Sequence, residues 1–229
     1  MPSAVLPDTI KRVAIIDDNA RGREAMAEIV QDASLEPIVQ TDRLLSLKEC
    51  VRALTRQADA AICDHRLKPG NYAAFEGADV VAALYGVRFP AILVTAYSLE
   101  VDLIRLVRRR IPVVVKGGYL GSQDIASGIR QCLDEFSSVY ADDRRPWRTL
   151  IRVQSIDQQT VSVVLPAWNP AVALSLPKSL FNASLGQLEA GTRLFGEVNI
   201  GASNSDDMYF DKLVLAEKPR GEYAQPSHP

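Results

Sequence analysis

Four short apolar stretches of this sequence are each followed by side chains that can take part in catalysis or metal binding. The stretches are residues 13–16, 60–63, 91–94 and 111–115, and the side chains that follow them are Asp17 with Asp18, Asp64, Thr95 and Lys116. A buried strand that ends on such a side chain places it at the carboxyl edge of an α/β sheet, where these sheets bind ligands. Three carboxylates at one edge repel one another, and Mg²⁺ would offset that repulsion while keeping positions open for water and phosphate oxygens. The pattern therefore predicts a cation-binding site at this edge, with the carboxylate of Asp64 as one of its groups.

Each of these residues, taken alone, also has a purely structural explanation. Asp17 and Asp18 are suitable helix-capping acids, Thr95 is a suitable N-cap, and Lys116 is an ordinary solvated charge. The functional interpretation depends on the whole set, in which every member follows a predicted strand.

Strands and helices alternate five times in the part of the chain that must position this set. The spacing of apolar residues predicts strands at 11–16, 36–40, 59–63, 90–94 and 111–115, and helices at 19–32, 44–57, 78–85, 98–109 and 122–136. Strict alternation with short, almost wholly apolar strands indicates a parallel sheet covered by helices on both faces.

The remaining sequence predicts a different, smaller domain. Residues 137–146 are polar and end in Pro146, which is typical of a linker. Residues 147–217 show period-two hydrophobicity in five short segments, with one helical segment (177–188) after the third, as in a small OB-like β-barrel or a sandwich. We expect residues 1–10 to be an N-terminal extension and residues 218–229 to be a disordered tail.

The composition excludes several classes of protein. A chain of 229 residues can form two domains, and a net charge of -2 gives no overall attraction to nucleic acid or anionic membranes. The three cysteines (Cys50, Cys63 and Cys132) follow no CxxC pattern, which favours reduced thiols over disulfides or a metal site. The start lacks a signal-peptide pattern, and no apolar run reaches the roughly 20 residues needed to cross a bilayer. We therefore expect a cytoplasmic protein that does not contact a membrane.

Residues 11–136 resemble the receiver domain of two-component response regulators, because the acid pair, the central aspartate, the threonine and the lysine occur in receiver-like order and spacing. The resemblance implies a flavodoxin-like (βα)5 fold that takes a phosphoryl group from a histidine kinase or a phosphotransfer protein. It implies that Asp64 is the phosphoacceptor, that Asp17 and Asp18 hold Mg²⁺ with Asp64, and that Thr95 and Lys116 bind the phosphoryl group. It further implies a phosphorylated signalling protein with autodephosphorylation chemistry, not an enzyme acting on another substrate.

The sequence departs from the receiver pattern at positions that transmit the signal. Val113 stands where receivers have an aromatic residue, Gly117 follows the lysine where many have proline, and the segment from Asp64 to Gly77 is longer than usual. We therefore expect signalling to run through the 66–77 loop or the helix predicted at 98–109. Arg66 and Tyr97 flank the expected route of water to the acyl phosphate, which predicts slow hydrolysis unless both merely lie on the surface.

A basic cluster ends the helix predicted at 98–109. It comprises Arg105, Arg108, Arg109 and Arg110. The cluster is either a solvated face that complements the helix C-terminus or a docking surface for an acidic partner.

The partner of the predicted β domain is open to three hypotheses. The domain binds another protein, it binds nucleic acid as OB-like folds often do, or it only dimerises or anchors a receiver that acts as a phosphate sink. Nucleic-acid binding needs a basic groove, but acidic residues outnumber basic ones here. The basic residues are Arg148, Arg152, Lys178, Arg193 and Lys212, and the acidic ones are Asp157, Glu189, Glu197, Asp206, Asp207, Asp211 and Glu217. Protein binding is therefore the preferred hypothesis.

Overall fold

The computed structural model describes residues 6–96, 104–117, 120–181 and 188–216, and the chain divides into two compact units. The first unit contains residues 1–146 and 198–210, and the second contains residues 147–197 and 211–229. This division differs from the expected one at two places. The predicted linker, 137–146, is part of the first unit, and so is the segment 198–210, which was expected in the β domain. Buried polar contacts between these two segments, described below, are the physical reason.

Five parallel strands form the sheet of the first unit, in the order β2-β1-β3-β4-β5. The strands are β1 (Arg12–Ile16), β2 (Glu36–Val39), β3 (Ala60–Asp64), β4 (Ala91–Thr95) and β5 (Val113–Lys116). The three central strands, β1, β3 and β4, are almost entirely buried because helices cover both faces of the sheet. This strand order is that of flavodoxin-like folds, so the predicted fold class is confirmed.

Four helices pack around these strands. They are α1 (Ala20–Asp32), α2 (Leu47–Gln57), α3 (Gly77–Gly86) and α4 (Ser122–Phe136). The Asn19 side chain accepts hydrogen bonds from the first-turn amides of α1, and Ser46 does the same for α2, which explains where these helices begin. Of the helix predicted at 98–109, residues 98–103 lie outside the described residues. Residues 104 and 105 are helical, and a 3₁₀ turn at Arg108–Arg110 precedes β5.

Alternate strand residues face opposite layers of helix, which produces two hydrophobic clusters. On one face Ala14 and Leu93 pack with Leu54 of α2 and Val81 of α3. The residues next to them in the strands, among them Ile15 and Ile92, face the other cluster, which contains Val30 of α1 with Ile125 and Ile129 of α4. Burial of each such side chain contributes about 1.5–3 kcal/mol to the stability of the fold. Packing on both faces thereby fixes the positions of the strands and of the residues that follow them.

The second unit contains a five-stranded sheet in the order β10-β9-β6-β7-β8, so the predicted small β domain is confirmed. The strands are β6 (Trp147–Ile156), β7 (Thr160–Leu165), β8 (Asn169–Pro177), β9 (Arg193–Val198) and β10 (Phe210–Leu215). The β6–β7 and β7–β8 pairs are antiparallel. Of the helical segment predicted at 177–188, the structure shows a 3₁₀ turn at Lys178–Leu180. Residues 182–187 and the predicted tail lie outside the described residues.

Within the part of the chain that the structure describes, the helices are all too short or too polar to cross a membrane.

Candidate functional site

The register of the parallel sheet brings the predicted side chains to one edge. Ile16 of β1 pairs with Cys63 of β3, so Asp17 and Asp64, which come next, are neighbours. Thr95 of β4 pairs with Lys116 of β5. Because all of these strands run in the same direction, their carboxyl ends share an edge, and the four predicted stretches meet there.

Four of the five predicted site residues line one pocket of about 360 Å³ at this edge. The pocket is lined by Asp17, Asp18, Asn19, Gly22, Asp64, Arg66, Pro69, Thr95 and Ala96. Asp17 and Thr95 are buried, with Thr95 only 3% exposed, whereas Asp18 and Asp64 are partly open to solvent. A small anion or a hydrated cation can therefore reach the Asp64 carboxylate from outside. Lys116 does not line this pocket.

The carboxylates in the pocket are electrostatically unfavourable in the absence of a cation. Burial, and then the charge of Asp17, raises the pKa of Asp64 to about 6, although the Arg66 amide donates to Asp64 Oδ2 over 2.8 Å. Burial also raises the pKa of Asp17, against the Asn19 amide that donates to Asp17 Oδ1 over 2.7 Å. Both shifts are expected when like charges share a poorly solvated site.

The pocket carboxylates suit a magnesium ion better than a metal ion that needs several protein ligands. Among the described residues, no three His, Cys, Asp or Glu side chains are placed to hold a metal ion together, and this includes the predicted set Asp17, Asp18 and Asp64. Two of the pocket carboxylates instead accept hydrogen bonds from nearby backbone amides, at Asn19 and Arg66. Mg²⁺ needs only one or two carboxylates because waters and phosphoryl oxygens fill its other positions, so the donor set fits this ion.

Two residues of α1 support Asp17 in a way that was not predicted from the sequence. The Arg23 guanidinium donates from Nη1 to the Asp17 carbonyl oxygen over 2.6 Å and lies 5.6 Å from the centre of the Tyr72 ring. Gly22 lies so close to the Asp17 carboxylate that a β-carbon at position 22 would overlap it. A cation near a helix N-terminus is electrostatically disfavoured, and this was the sequence signal that Arg23 has a specific partner.

The long loop between β3 and α3 is folded against the sheet. Leu67, Tyr72 and Phe75 are buried, and the Tyr72 hydroxyl donates to the Gln40 carbonyl oxygen over 2.8 Å. A 3₁₀ turn at Pro69–Asn71 contains Gly70, whose φ of 63° is a conformation that glycine adopts without strain. The 66–77 loop, which the sequence predicts to transmit the signal, is thus held by buried side chains and by the Tyr72 hydrogen bond. Arg23 connects it to Asp17, since it contacts both the Tyr72 ring and the Asp17 carbonyl oxygen.

Lys116 is held by a carboxylate from a distant part of the chain. Its ammonium Nζ lies 2.8 Å from Asp207 Oδ1, in the loop that connects β9 to β10. Lys116 is therefore adjacent to Thr95 in the sheet but directed to a partner that the sequence analysis did not assign to it. The only sequence signal was the acid pair Asp206–Asp207, which was counted merely as negative charge.

The predicted linker and the segment 198–210 form a buried polar cluster in the first unit. Arg144 is 2% exposed, and its Nε donates to Oε1 of the fully buried Glu135 over 2.8 Å. The Tyr209 hydroxyl donates to the Arg144 carbonyl oxygen over 2.7 Å, and the Asn199 side chain donates to the Asp143 carbonyl oxygen over 2.8 Å. These contacts fold both segments into the first unit.

The basic cluster at 105–110 is largely buried, whereas the first of the two interpretations from the sequence was a solvated face. Arg105 and Arg108 are buried, and Arg109 hydrogen-bonds the hydroxyls of Tyr85 and Tyr140. Arg105 also lies 3.7 Å from Asp206. The acidic group near this cluster is thus supplied by the chain itself.

Known proteins similar to this chain occur among solved structures. No family model and no curated protein matches the chain. Among solved structures, it is similar to a response regulator receiver domain protein from Clostridium thermocellum (13% identity over 57% of this chain and 99% of that chain, TM-score 0.43). It is also similar to a CheY-like receiver domain protein from Methanospirillum hungatei (20% identity over 56% of this chain and 98% of that chain, TM-score 0.42).

Proposed function

We propose that this protein is a two-component response regulator whose first unit accepts a phosphoryl group on Asp64. The observation that carries the proposal is the pocket that brings Asp64 together with Asp17, Asp18 and Thr95. Its partly exposed carboxylate, with a pKa of about 6, is accessible and ionised at neutral pH. A carboxylate in this position is a nucleophile for phosphoryl transfer.

In the proposed reaction an oxygen of Asp64 attacks the phosphorus of a phosphohistidine on a histidine kinase or phosphotransfer protein. The new O–P bond forms as the N–P bond breaks, and the histidine nitrogen leaves with the electron pair. One or two of the carboxylates of Asp17, Asp18 and Asp64 would hold Mg²⁺, and the ion would supply positive charge to the transferred oxygens. The Thr95 hydroxyl donates a hydrogen bond to one phosphoryl oxygen, and the Lys116 ammonium pairs with another.

The second unit is proposed to bind another protein. Several of its apolar side chains are exposed, namely Trp147, Val172, Val214 and Leu215. Exposed apolar residues of this kind favour a protein surface as the partner. Binding of residues 147–217, within the full chain, to nucleic acid with a strong salt dependence would contradict this assignment.

The test is incubation of the full chain with acetyl phosphate and Mg²⁺, followed by intact-mass measurement. Wild-type protein is expected to gain one phosphoryl group, and Asp64→Asn is expected to gain none. Asp42→Asn, which changes an exposed acid outside the pocket, is the matched control and is expected to be phosphorylated normally. Absence of phosphorylation in the wild type, or equal phosphorylation of Asp64→Asn, would overturn the proposal.

A further inference from the structure

The loop between β9 and β10 presents an acidic turn to the site edge of the first unit. Residues 205–207 form a 3₁₀ turn capped by Asn204, whose side chain accepts from the Asp206 amide over 3.0 Å. Asp207 lies 2.8 Å from the ammonium of Lys116, the lysine that the proposed function assigns to the phosphoryl group. Asp206 lies 3.7 Å from the Arg105 guanidinium.

The position of Asp207 is fixed by a scaffold that does not depend on the ion pair itself. The Asn199 side chain donates to the Asp207 carbonyl oxygen over 3.1 Å and accepts from the Tyr209 amide over 2.8 Å. The same side chain donates to the Asp143 carbonyl oxygen, and Tyr209 is fully buried. Because the buried Asn199 side chain holds the backbone at residues 207 and 209, the fold presents the Asp207 carboxylate to Lys116.

The ion pair itself is easily exchanged. The Lys116 and Asp207 side chains are 45% and 37% exposed, so that water screens their attraction and the pair contributes little to stability. A phosphoryl group on Asp64, two strands away at the same edge of the sheet, offers more charge and more acceptor oxygens than one carboxylate does. The lysine therefore has a weakly held partner in the unphosphorylated protein and a stronger one available when Asp64 is phosphorylated.

We propose that Asp207 is an intramolecular substitute for the phosphoryl group, which occupies Lys116 until phosphorylation of Asp64 displaces it. This regulation rests on the proposed function of Asp64. On phosphorylation the Lys116 ammonium transfers its contact from the Asp207 carboxylate to a phosphoryl oxygen. This frees the Asp207 side chain and loosens the turn at 204–206, while Asn199 continues to hold the backbone at residues 207 and 209. No bond is made or broken in this exchange, and Lys116 keeps its proton throughout.

The loosened turn is covalently continuous with two strands of the second unit. It lies between β9 and β10, which are neighbours in that sheet, and β10 is an edge strand in the described pairing. Displacement of Asp207 therefore acts directly on the strand ends of the second unit. This route requires no aromatic residue at position 113, where receivers have one and this chain has valine.

Hydrogen exchange and phosphorylation rates of the full chain test the inference. Asp207→Asn removes the charge that competes for Lys116 and keeps the shape of the side chain. We expect it to be phosphorylated by acetyl phosphate and Mg²⁺ up to about fivefold faster than wild type, the range expected for loss of an exposed ion pair. We also expect amide exchange in residues 204–206 to be raised before any phosphorylation. In wild type, phosphorylation is expected to raise the exchange of the same residues.

Asp206→Asn is the matched control, because it makes the same change one residue away and leaves the Lys116 pair intact. It is expected to be phosphorylated at the wild-type rate. If wild type is phosphorylated but Asp207→Asn reacts at the same rate and exchange in 204–206 is unchanged, the regulation is overturned and the proposed function stands. If no variant is phosphorylated, both are overturned.

Discussion

Gly77, the first residue of α3, packs directly against the backbone of Asp64. The Gly77 amide donates to the His65 carbonyl oxygen over 2.8 Å, and a β-carbon at position 77 would overlap the Asp64 carbonyl oxygen. The helix that follows the long loop is thereby brought against the strand end that carries the proposed phosphoacceptor.

Gly77→Ala is expected to destabilise the first unit by about 3 kcal/mol, the upper end of the usual range for overpacking, because the obstacle is backbone and not a movable side chain. Urea unfolding measures the change. Gly86→Ala, at the other end of the same helix, has open space around the added methyl group and is expected to leave stability unchanged or to raise it. Equal unfolding midpoints for the two variants would contradict this account of Gly77.

Gly22→Ala is expected to weaken Mg²⁺ binding without unfolding the protein. The added methyl group would overlap the Asp17 carboxylate, which is the end of a side chain and can move aside. Displacing a proposed ligand in this way is expected to lower Mg²⁺ affinity about tenfold to a hundredfold. Titration calorimetry measures the affinity, and Asp17→Asn should show a similar loss. Gly86→Ala, the same exchange far from the pocket, is expected to bind Mg²⁺ as wild type does.

The stability of the metal-free protein is expected to fall as pH rises through the titration of Asp64. Burial and Asp17 raise the pKa of Asp64 from 3.8 to about 6, so the folded protein binds this proton more tightly than the unfolded chain does. Between these two values unfolding releases a proton, and the free energy of unfolding decreases with increasing pH. Above about pH 6 the group contributes no further change.

Mg²⁺ is expected to reverse this loss, because it binds the ionised carboxylates. The ion should therefore raise the unfolding temperature above about pH 7 and have little effect near about pH 5, where Asp64 is protonated. Asp64→Asn should remove most of the pH dependence and most of the Mg²⁺ effect. A Mg²⁺ effect that is equal at both pH values would show that Asp64 is not a ligand.

Arg66 is expected to protect the phosphorylated form from hydrolysis. Its side chain lines the pocket beside Asp64, where we expect it to hinder the approach of water. We expect phosphorylated wild type to persist well beyond seconds, and Arg66→Ala to lose its phosphoryl group about threefold to tenfold faster, a change in barrier of about 0.7–1.4 kcal/mol. Arg21→Ala, an exposed arginine outside the pocket, is the control. A wild-type half-life of seconds would refute a shielding role. Tyr97, the other residue predicted to slow hydrolysis, lies outside the described residues.

The convergence of Asp17, Asp64 and Thr95 was predictable because it depends on a local pattern. Each follows an apolar run, and parallel strands necessarily end at one edge of their sheet. The sequence therefore predicts their proximity without any knowledge of long-range contacts. The same reasoning predicts the backbone position of Lys116 but not the direction of its ammonium group, because a long side chain at a strand end can adopt several directions.

The partner of Lys116 was not predictable because it lies in a connection between strands of the other sheet. The local sequence of residues 198–210 does not show whether this connection packs in the β domain, whose strands it joins, or in the first unit. The domain boundary differed from prediction for a related reason. A polar segment that ends in proline is typical of a linker, but Arg144 finds a buried carboxylate in Glu135, a pairing set by tertiary structure alone.

This buried pair supports the last prediction, which concerns the stability of the first unit. Arg144→Met would leave the Glu135 carboxylate buried with Arg109, 3.7 Å away, as its remaining cation in the described contacts. Removing one partner of a buried pair is expected to cost about 3–5 kcal/mol, because the other charge loses both its partner and its hydration. The double variant Glu135→Gln with Arg144→Met removes that uncompensated charge and should recover part of the loss. Urea unfolding of the single and double variants measures both. A single variant as stable as wild type would mean that the pair contributes no stability, and that the segment 137–146 is held in the first unit by the Asn199 and Tyr209 contacts alone.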